Sequence, residues 1–186
     1  MSEITEAIHR PLLILDLDET LIHGAEKTLH READFKVGPF HIYKRPGLDT
    51  FLSKVDYYYD LAIWSSATGD YVHEIAGALR ASVKEWRFIW SRSKCIQIID
   101  EEWVEPVYLK DLKKIKKRGY HLERALILED SPKKVSRNYG NAIYISKFIG
   151  SEEDRELIKL ADFLVQIHTE ENFRKIEKRG WGSHSK

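Results

Sequence analysis

The residues that decide the fold are Leu12-Leu13-Ile14-Leu15, which are followed at once by Asp16-Leu17-Asp18. Four apolar residues in a row are typical of a strand that is buried on both faces of a parallel sheet. Open α/β sheets bind their ligands at the carboxyl ends of the strands, which is where these two carboxylates lie. We therefore expect a parallel sheet with a functional site at the end of this strand.

Three more apolar runs repeat this pattern, and amphipathic segments lie between them. The runs span residues 61–64, 125–128 and 142–145. Residues 48–55 and 72–79 carry apolar side chains at the i, i+3, i+4, i+7 spacing of a helix that buries one face. Strands that alternate with helices predict an α/β fold built on a doubly wound, mostly parallel sheet.

Two stretches interrupt this alternation. Residues 23–45 contain apolar residues around a Gly38-Pro39 turn and predict a β-hairpin, and residues 91–108 predict a second small β insertion. Neither stretch is large enough to form a cap domain, and a chain of 186 residues suits one domain. We expect that domain to span residues 1–179 and to be followed by a flexible tail at 180–186.

Composition excludes several classes of protein. Thirty basic residues balance thirty acidic residues, so no overall positive field favours nucleic acid or an anionic membrane as a partner. Cys95 is the one cysteine, which excludes an internal disulfide framework. No apolar run approaches the roughly 20 residues of a membrane span, and residues 1–10 lack the pattern of a secretion signal. We expect a soluble intracellular protein, cytoplasmic or nuclear.

Polar side chains follow the apolar runs, at the edge of the sheet where the strands end. They are Asp16, Asp18, Ser65, Glu129 and Asp130, and Lys110 follows the second insertion. Two like charges 4 Å apart repel by about 4 kcal/mol at an effective dielectric constant near 20. A hard divalent cation removes this cost, and Mg²⁺ suits a site of one or two carboxylates with a substrate phosphate. The sequence therefore predicts a magnesium and phosphate site.

The spacing of the acidic residues suggests how such a site would work. Asp16 and Asp18 are alternate residues, so their carboxylates can lie on either side of one substrate. The first can attack phosphorus and form an aspartyl-phosphate, while the second protonates the leaving oxygen and later deprotonates water. Ser65 and Lys110 would hold the phosphoryl oxygens, and Asp130 would complete the metal site.

Four segments in this order resemble the haloacid dehalogenase superfamily. They are Asp16-Leu-Asp-Glu-Thr-Leu-Ile-His23, Trp64-Ser-Ser-Ala67, Tyr108-Leu-Lys-Asp-Leu112 and Leu126-Ile-Leu-Glu-Asp-Ser-Pro132. More narrowly, they are similar to the phosphatases that act on the C-terminal domain of RNA polymerase II. The resemblance spans about residues 12–165. It implies a Mg²⁺-dependent phosphatase that acts on phosphoserine or phosphothreonine in a protein or peptide.

The resemblance also implies roles for individual residues. Asp16 corresponds to the nucleophile and Asp18 to the general acid and base. The metal would be held by Asp16, the backbone carbonyl of Asp18, and Asp130. The family usually has Asp at the position of Glu129, whose longer side chain either still reaches a metal-bound water or supports the site without touching the metal.

Four further positions correspond to substrate contacts in the family. Thr20, Ser65 and Lys110 match residues around the phosphate. Arg92 lies where the polymerase-directed members carry an arginine that helps to grip the phosphorylated peptide. We expect all four side chains to face the substrate.

Other functions remain open from the sequence. One is a phosphatase for small metabolites or nucleic-acid ends, which a panel of substrates would separate. Another is a binding module that keeps the fold without the catalytic acids, although Asp16 and Asp18 are both present. A third is a phospho-acceptor signalling domain, in which Asp18→Ala would leave acceptor function intact.

Overall fold

The structure is a computed structural model that describes residues 10–99 and 105–183. Within these residues the strands are β1 (Leu12–Leu15), β2 (Ile22–Ala25), β3 (Phe35–Val37), β4 (Phe40–Lys44), β5 (Asp60–Trp64), β6 (Trp86–Trp90), β7 (Ile96–Ile99), β8 (Pro106–Leu109), β9 (Ala125–Glu129) and β10 (Ala142–Tyr144). The α-helices are α1 (Leu48–Val55), α2 (Gly69–Ala78) and α3 (Glu156–Ile167). Short 3-10 helices span Arg80–Ser82, Arg92–Lys94, Leu112–Arg118, Leu122–Arg124, Pro132–Asn138, Phe173–Lys175 and Trp181–Ser183.

A five-stranded sheet forms the centre of the fold, in the order β10-β9-β1-β5-β6. Every neighbouring pair in it is parallel, which confirms the predicted α/β class. β1 lies between β9 and β5, so the carboxyl ends of these three strands adjoin. Residues that follow them in the sequence are therefore brought to one edge of the sheet.

The two faces of this sheet are covered differently. Leu13 of β1 packs in a cluster that includes the buried faces of α1, α2 and α3. Ile14, on the opposite face, packs in a cluster with Leu112, Ile115 and Val135. These three residues belong to two 3-10 helices, so the second face is covered by short, tight turns. The loops that precede those turns lie beside the end of β1.

The strand β6 is not among the four apolar runs that the sequence analysis identified. Trp86, Phe88 and Trp90 are buried, whereas Arg87 between them is exposed. An alternating pattern of this kind is typical of an edge strand rather than a continuous apolar run. The four predicted strands are confirmed, and β6 extends the sheet by one.

The two predicted insertions are small β structures. β3 and β4 form the hairpin predicted within 23–45, with the Gly38-Pro39 turn between them, and β2, which begins at Ile22, adds a third antiparallel strand beside β4. β7 and β8 form an antiparallel pair within the segment at 91–108. Residues 100–104 of this insertion lie outside the described residues.

Within the tail that the sequence predicts to be flexible at 180–186, the described residues 180–183 include a buried side chain. Trp181 is only 7% exposed, and its indole N–H donates a hydrogen bond of 2.8 Å to the carbonyl of Tyr144. An indole has enough apolar area to hold a short segment against the core. Residues 184–186 lie outside the described part of the chain. Among the described residues, no helix is both long and apolar enough to cross a bilayer.

Candidate active site

A tight turn after β1 carries the two acidic residues Asp16 and Asp18. The carbonyl of Leu17 accepts hydrogen bonds from the amides of residues 20–22, at 2.8 to 3.2 Å. Glu19 has a φ of 62°, a left-handed conformation that is uncommon for a residue with a side chain. Strain of this kind concentrates at functional sites. The turn keeps both carboxylates at the edge of the sheet while Leu17 between them is buried.

Lys110 lies between two of the predicted site carboxylates. Its Nζ is 2.5 Å from Oδ1 of Asp16 and 2.5 Å from Oε2 of Glu129, and its side chain is completely buried. Burial alone disfavours the charged amine, but the two carboxylates outweigh it and raise the pKa of Lys110. Lys110 therefore stays an ammonium group beside Asp16.

A second lysine, which the sequence analysis missed, reaches the same carboxylates. Nζ of Lys134 lies 3.3 Å from Oε1 of Glu129, 3.7 Å from Oδ1 of Asp130 and 3.8 Å from Oδ2 of Asp16. Burial disfavours its charge, but these carboxylates raise the pKa of Lys134 overall. Unlike Lys110, it keeps a quarter of its side chain exposed to solvent.

Backbone contacts hold the two lysines in place. The amide of Lys110 donates a 2.7 Å hydrogen bond to the carbonyl of Lys134. The side-chain amide of Asn138 donates to the carbonyl of Lys110, and its Oδ1 accepts from the amide of Leu112 at 3.1 Å. These bonds join the loop after β8 to the loop after β9, so both ammonium groups are delivered to the end of β1.

The carboxylates exceed the ammonium groups in this cluster. One oxygen each from Asp16, Glu129 and Asp130 lies within 4.8 Å of the others, against two ammonium groups from Lys110 and Lys134. Oδ1 of Asp130 is buried and accepts no hydrogen bond from a described residue. Burial, with help from Glu129, raises the pKa of Asp16. A buried oxygen without a hydrogen bond and an excess of negative charge fit a hard cation such as Mg²⁺.

Asp18 is surrounded by hydroxyl groups. Oη of Tyr71 donates a 2.7 Å hydrogen bond to its Oδ1, and Oγ of Ser65 donates a longer one of 3.4 Å to its Oδ2. Burial raises the pKa of Asp18, and the bond from Tyr71 offsets part of that rise. Two acids on one turn therefore have different neighbours: ammonium groups beside Asp16 and hydroxyls beside Asp18.

Tyr71 is a second residue that the sequence analysis did not single out. It lies in the first turn of α2, and its hydroxyl passes close to Gly24 of β2. A Cβ at Gly24 would lie 2.9 Å from that hydroxyl oxygen, closer than such atoms normally approach. Gly24 lies in the segment predicted to contain a β-hairpin, and a glycine within a strand is a signal that can indicate a close approach of this kind.

Thr20 and Ser65 are buried among the acidic residues. Oγ1 of Thr20 donates to Oδ2 of Asp16 at 3.3 Å, and the hydroxyl of Ser65 also accepts from the amide of Ala67 at 3.0 Å. Both side chains are almost without exposed surface. The structure thus places Thr20 as a direct partner of Asp16, and its predicted contact with phosphate stays a prediction.

Arg92 lies beside the carboxylate cluster rather than inside it. Its Nε donates to the carbonyl of Ser66 at 2.7 Å, and its guanidinium lies 4.6 Å from the ring centroid of Tyr108. It lines a cavity of about 460 Å³ together with Thr68 and Gly69 at the start of α2.

Comparison with known proteins identifies relatives of the chain. The NLI interacting factor-like phosphatase family matches residues 11–174. Nuclear envelope morphology protein 1 of Saccharomyces cerevisiae is 30% identical over 88% of this chain and 40% of its own length. The Schizosaccharomyces pombe protein of that name is 29% identical over 87% of this chain and 34% of its own length. The chain thus spans well under half of each.

A third relative and two solved structures complete the comparison. Carboxy-terminal domain RNA polymerase II polypeptide A small phosphatase 1 of Homo sapiens is 26% identical over 83% of this chain and 58% of its own length. The structure of Fcp1, an RNA polymerase II CTD phosphatase, aligns with a TM-score of 0.66 at 18% identity, over 86% of this chain and 62% of that one. The structure of an uncharacterized protein from Listeria monocytogenes aligns with a TM-score of 0.57 at 14% identity, over 84% of this chain and 98% of that one. At these identities the two structures show the fold alone. Because the family match covers most of the sequence, the chain belongs to the NLI interacting factor-like phosphatase family.

Proposed function

We propose that this chain hydrolyses phosphomonoesters by transferring the phosphoryl group to Asp16, and that its substrates are phosphorylated proteins. The observation that carries the proposal is the contrast between two acids on one turn. Asp16 lies against ammonium groups, whereas Asp18 lies against the hydroxyls of Tyr71 and Ser65. Burial raises the pKa of both acids, but the ammonium groups in contact with Asp16 favour its ionised form, whereas the side chain of Asp18 accepts hydrogen bonds from hydroxyls. Different neighbours of this kind are how one site supplies both an anion and an acid.

The first step uses both acids. An oxygen of the Asp16 carboxylate forms a bond to phosphorus while the bond between phosphorus and the substrate oxygen breaks. Asp18, whose protonated form is favoured by burial, gives its proton to the departing oxygen. The products are the free alcohol, the Asp18 carboxylate and a phosphoryl group on Asp16.

The second step restores the site. The Asp18 carboxylate takes a proton from water, whose oxygen attacks phosphorus as the bond to Asp16 breaks. Inorganic phosphate leaves, Asp16 is again a carboxylate and Asp18 is again protonated. Thr20, which donates to Asp16, keeps that carboxylate oriented through both steps.

Asp16 and Asp130 would hold Mg²⁺, and Glu129 lies close enough to join them or to bind a coordinated water. When bound, Mg²⁺ supplies positive charge against the oxygens of the phosphoryl group. We propose that Lys110 and Ser65 contact those oxygens, with the amides at the start of α2 as further donors.

Phosphoserine or phosphothreonine in proteins is the substrate class we propose. The human relative is named for a domain of RNA polymerase II, and the described residues of both insertions form only small antiparallel sheets. The cavity beside Arg92 offers room for residues that flank a phosphorylated side chain. We also propose an intracellular location, in keeping with the names of the nuclear envelope relatives.

Hydrolysis of p-nitrophenyl phosphate tests the reaction. The purified chain is assayed with Mg²⁺, with a chelator, and as Asp16→Asn, whose folding is checked by circular dichroism. We expect turnover that needs both Mg²⁺ and Asp16. Equal turnover in folded Asp16→Asn would exclude Asp16 as the nucleophile.

A panel of substrates then tests the substrate class. Phosphoserine and phosphothreonine peptides are compared with sugar phosphates and with 5′-phosphorylated oligonucleotides. We expect the highest kcat/KM for the peptides. In Arg92→Ala, we expect kcat/KM to fall for the peptides and to stay unchanged for the other substrates. A preference for sugar phosphates or oligonucleotides would favour the alternative function in metabolite or nucleic-acid processing.

A further inference from the structure

We propose that Lys134 competes with the divalent cation for this site. Its ammonium group neutralises the carboxylates of Asp16, Glu129 and Asp130 when no metal is bound, and it moves into solvent when a metal binds. This inference rests on the proposed function, because it concerns the same site. It assigns Lys134 a role in setting the metal affinity, which is separate from the chemistry of Asp16.

The position of a single atom is the first observation. Nζ of Lys134 is 3.3 to 3.8 Å from an oxygen of each of the three acidic residues that could hold a metal. One of those oxygens, Oδ1 of Asp130, accepts no hydrogen bond from the described residues. The Lys134 ammonium places a positive charge against it, at 3.7 Å. A cation bound between the same carboxylates would meet this ammonium group at close range.

The contrast with Lys110 is the second observation. Lys110 is completely buried and makes 2.5 Å contacts with Asp16 and Glu129, so it has no route to solvent. Lys134 makes longer contacts and keeps 25% of its side chain exposed. Its backbone carbonyl is fixed by the amide of Lys110, so the side chain alone needs to move. One lysine is therefore permanent in the cluster and the other is removable.

The charges give the direction of the effect. Three carboxylates are better neutralised by Lys110 and Lys134 than by Lys110 alone, so the metal-free cluster gains from both. A divalent cation repels an ammonium group a few ångströms away, and the repulsion is strong at a site with little water. Metal binding therefore requires Lys134 to leave, and the cost of its departure weakens the apparent affinity. Activity would then depend on the Mg²⁺ concentration more than in a site without this lysine.

Metal binding to the whole chain tests the proposal without using activity. Isothermal titration calorimetry with Mg²⁺, repeated with Mn²⁺, compares wild type, Lys134→Gln and Lys134→Arg. We expect Lys134→Gln to bind Mg²⁺ at least about tenfold more tightly, because one positive charge is removed beside the metal. Lys134→Arg keeps the charge and should stay near wild type. Lys116→Gln removes an equal charge from an exposed position and should change nothing.

Thermal unfolding supplies an independent readout. In chelator, Lys134→Gln should melt at a lower temperature than wild type, because its carboxylates have lost a counter-ion. The same excess of Mg²⁺ should then raise its Tm by more than it raises that of wild type, since the stabilisation by a ligand grows with the logarithm of its affinity. Both shifts should be absent in Lys116→Gln.

The outcomes separate this inference from the proposed function. If Lys134→Gln and wild type bind Mg²⁺ equally while hydrolysis needs Mg²⁺, the inference is wrong and the function stands. If Mg²⁺ affinity is unchanged but binding of inorganic phosphate weakens, Lys134 is a phosphate contact and the inference is wrong. If neither protein binds a divalent cation and hydrolysis ignores chelator, both the inference and the metal-dependent mechanism fail.

Discussion

Two clusters of buried charge in this molecule differ in where their excess negative charge lies. In one, the fully buried Arg45 after β4 donates to both oxygens of Asp154, at 2.9 and 2.7 Å, and to the carbonyl of Thr20 at 3.0 Å. Glu156 lies 3.3 Å from the same guanidinium. The side chains of Asp154 and Glu156 are 14% and 30% exposed, so water solvates the second negative charge.

The carboxylate cluster at the end of β1 is more deeply buried. Asp16 and Glu129 are almost completely buried and Asp130 is 10% exposed, so most of the excess charge stays inside the protein. Burial tends to raise the pKa of both Asp16 and Asp154, but the hydrogen bonds from Arg45 reverse the effect at Asp154 and lower its pKa. A solvated, fully bonded ion pair stabilises the fold. A buried excess of charge instead indicates a site for a ligand.

The largest expected effect comes from removing one charge of the carboxylate cluster. Asp16→Asn should lower kcat/KM by at least about 10³-fold, because the nucleophile is lost. It should nevertheless leave the free energy of unfolding in chelator unchanged or higher, because two carboxylates then face two ammonium groups. Steady-state kinetics and urea denaturation measure the two effects. A less stable Asp16→Asn would contradict the contrast between the clusters.

Arg45→Met should have the largest effect on stability. It leaves the carbonyl of Thr20 and the carboxylate of Asp154 without their buried partner, and breaking a buried ion pair in this way costs about 3 kcal/mol. Urea denaturation gives the free energy of unfolding. A loss below about 1 kcal/mol would mean that the cluster is not structural.

Asp154→Asn should be less destabilising and should depend on pH. The folded pKa of Asp154 lies below its ordinary value of 3.8, so the carboxylate stabilises the fold above that value. At neutral pH we expect a loss of about 1 kcal/mol, because the pair is partly exposed. The difference from wild type should shrink as the pH falls through the folded pKa. Unfolding measured from neutral to acidic pH checks this, and a difference that is constant with pH would refute it.

Tyr71→Phe should have the smallest effect. It tests Asp18, which lies beside the carboxylate cluster but has hydroxyl groups as its neighbours. Without the 2.7 Å bond from Tyr71, Asp18 is less well oriented as a proton donor. We expect kcat/KM to fall by about fivefold for phosphoserine peptides, whose alkoxide needs a proton to leave. The fall should be smaller for p-nitrophenyl phosphate, which has a good leaving group. Equal losses on both substrates would point to a general structural defect.

The parts of the fold that depend on local pattern could be predicted from the sequence. The four apolar runs became β1, β5, β9 and β10, and both insertions formed small antiparallel sheets. β6 was not predicted because Arg87 interrupts its apolar residues. The burial of Trp181 was not predicted because the residues around it in the sequence are small or polar.

The site residues also divide into those that a local sequence pattern predicts and those that it does not. The residues at strand ends, such as Asp16 and Asp130, were placed together because the topology of a parallel sheet determines where they meet. The roles of Lys134 and Tyr71 were not predicted, because their contacts depend on how the 3-10 helix at Pro132–Asn138 and the first turn of α2 orient their side chains. The pair of Arg45 with Asp154, which lie 109 residues apart, has no local signal at all.

Trapping the phosphorylated enzyme tests the central claim most directly. The chain is mixed with a phosphorylated substrate and Mg²⁺, quenched in acid within the first turnover and digested for mass spectrometry. We predict one phosphoryl group on the peptide that contains Asp16, removable by hydroxylamine as expected for an acyl phosphate, and none in Asp16→Asn. Rapid substrate turnover without any phosphorylated peptide, or a phosphoryl group on another residue, would contradict the account.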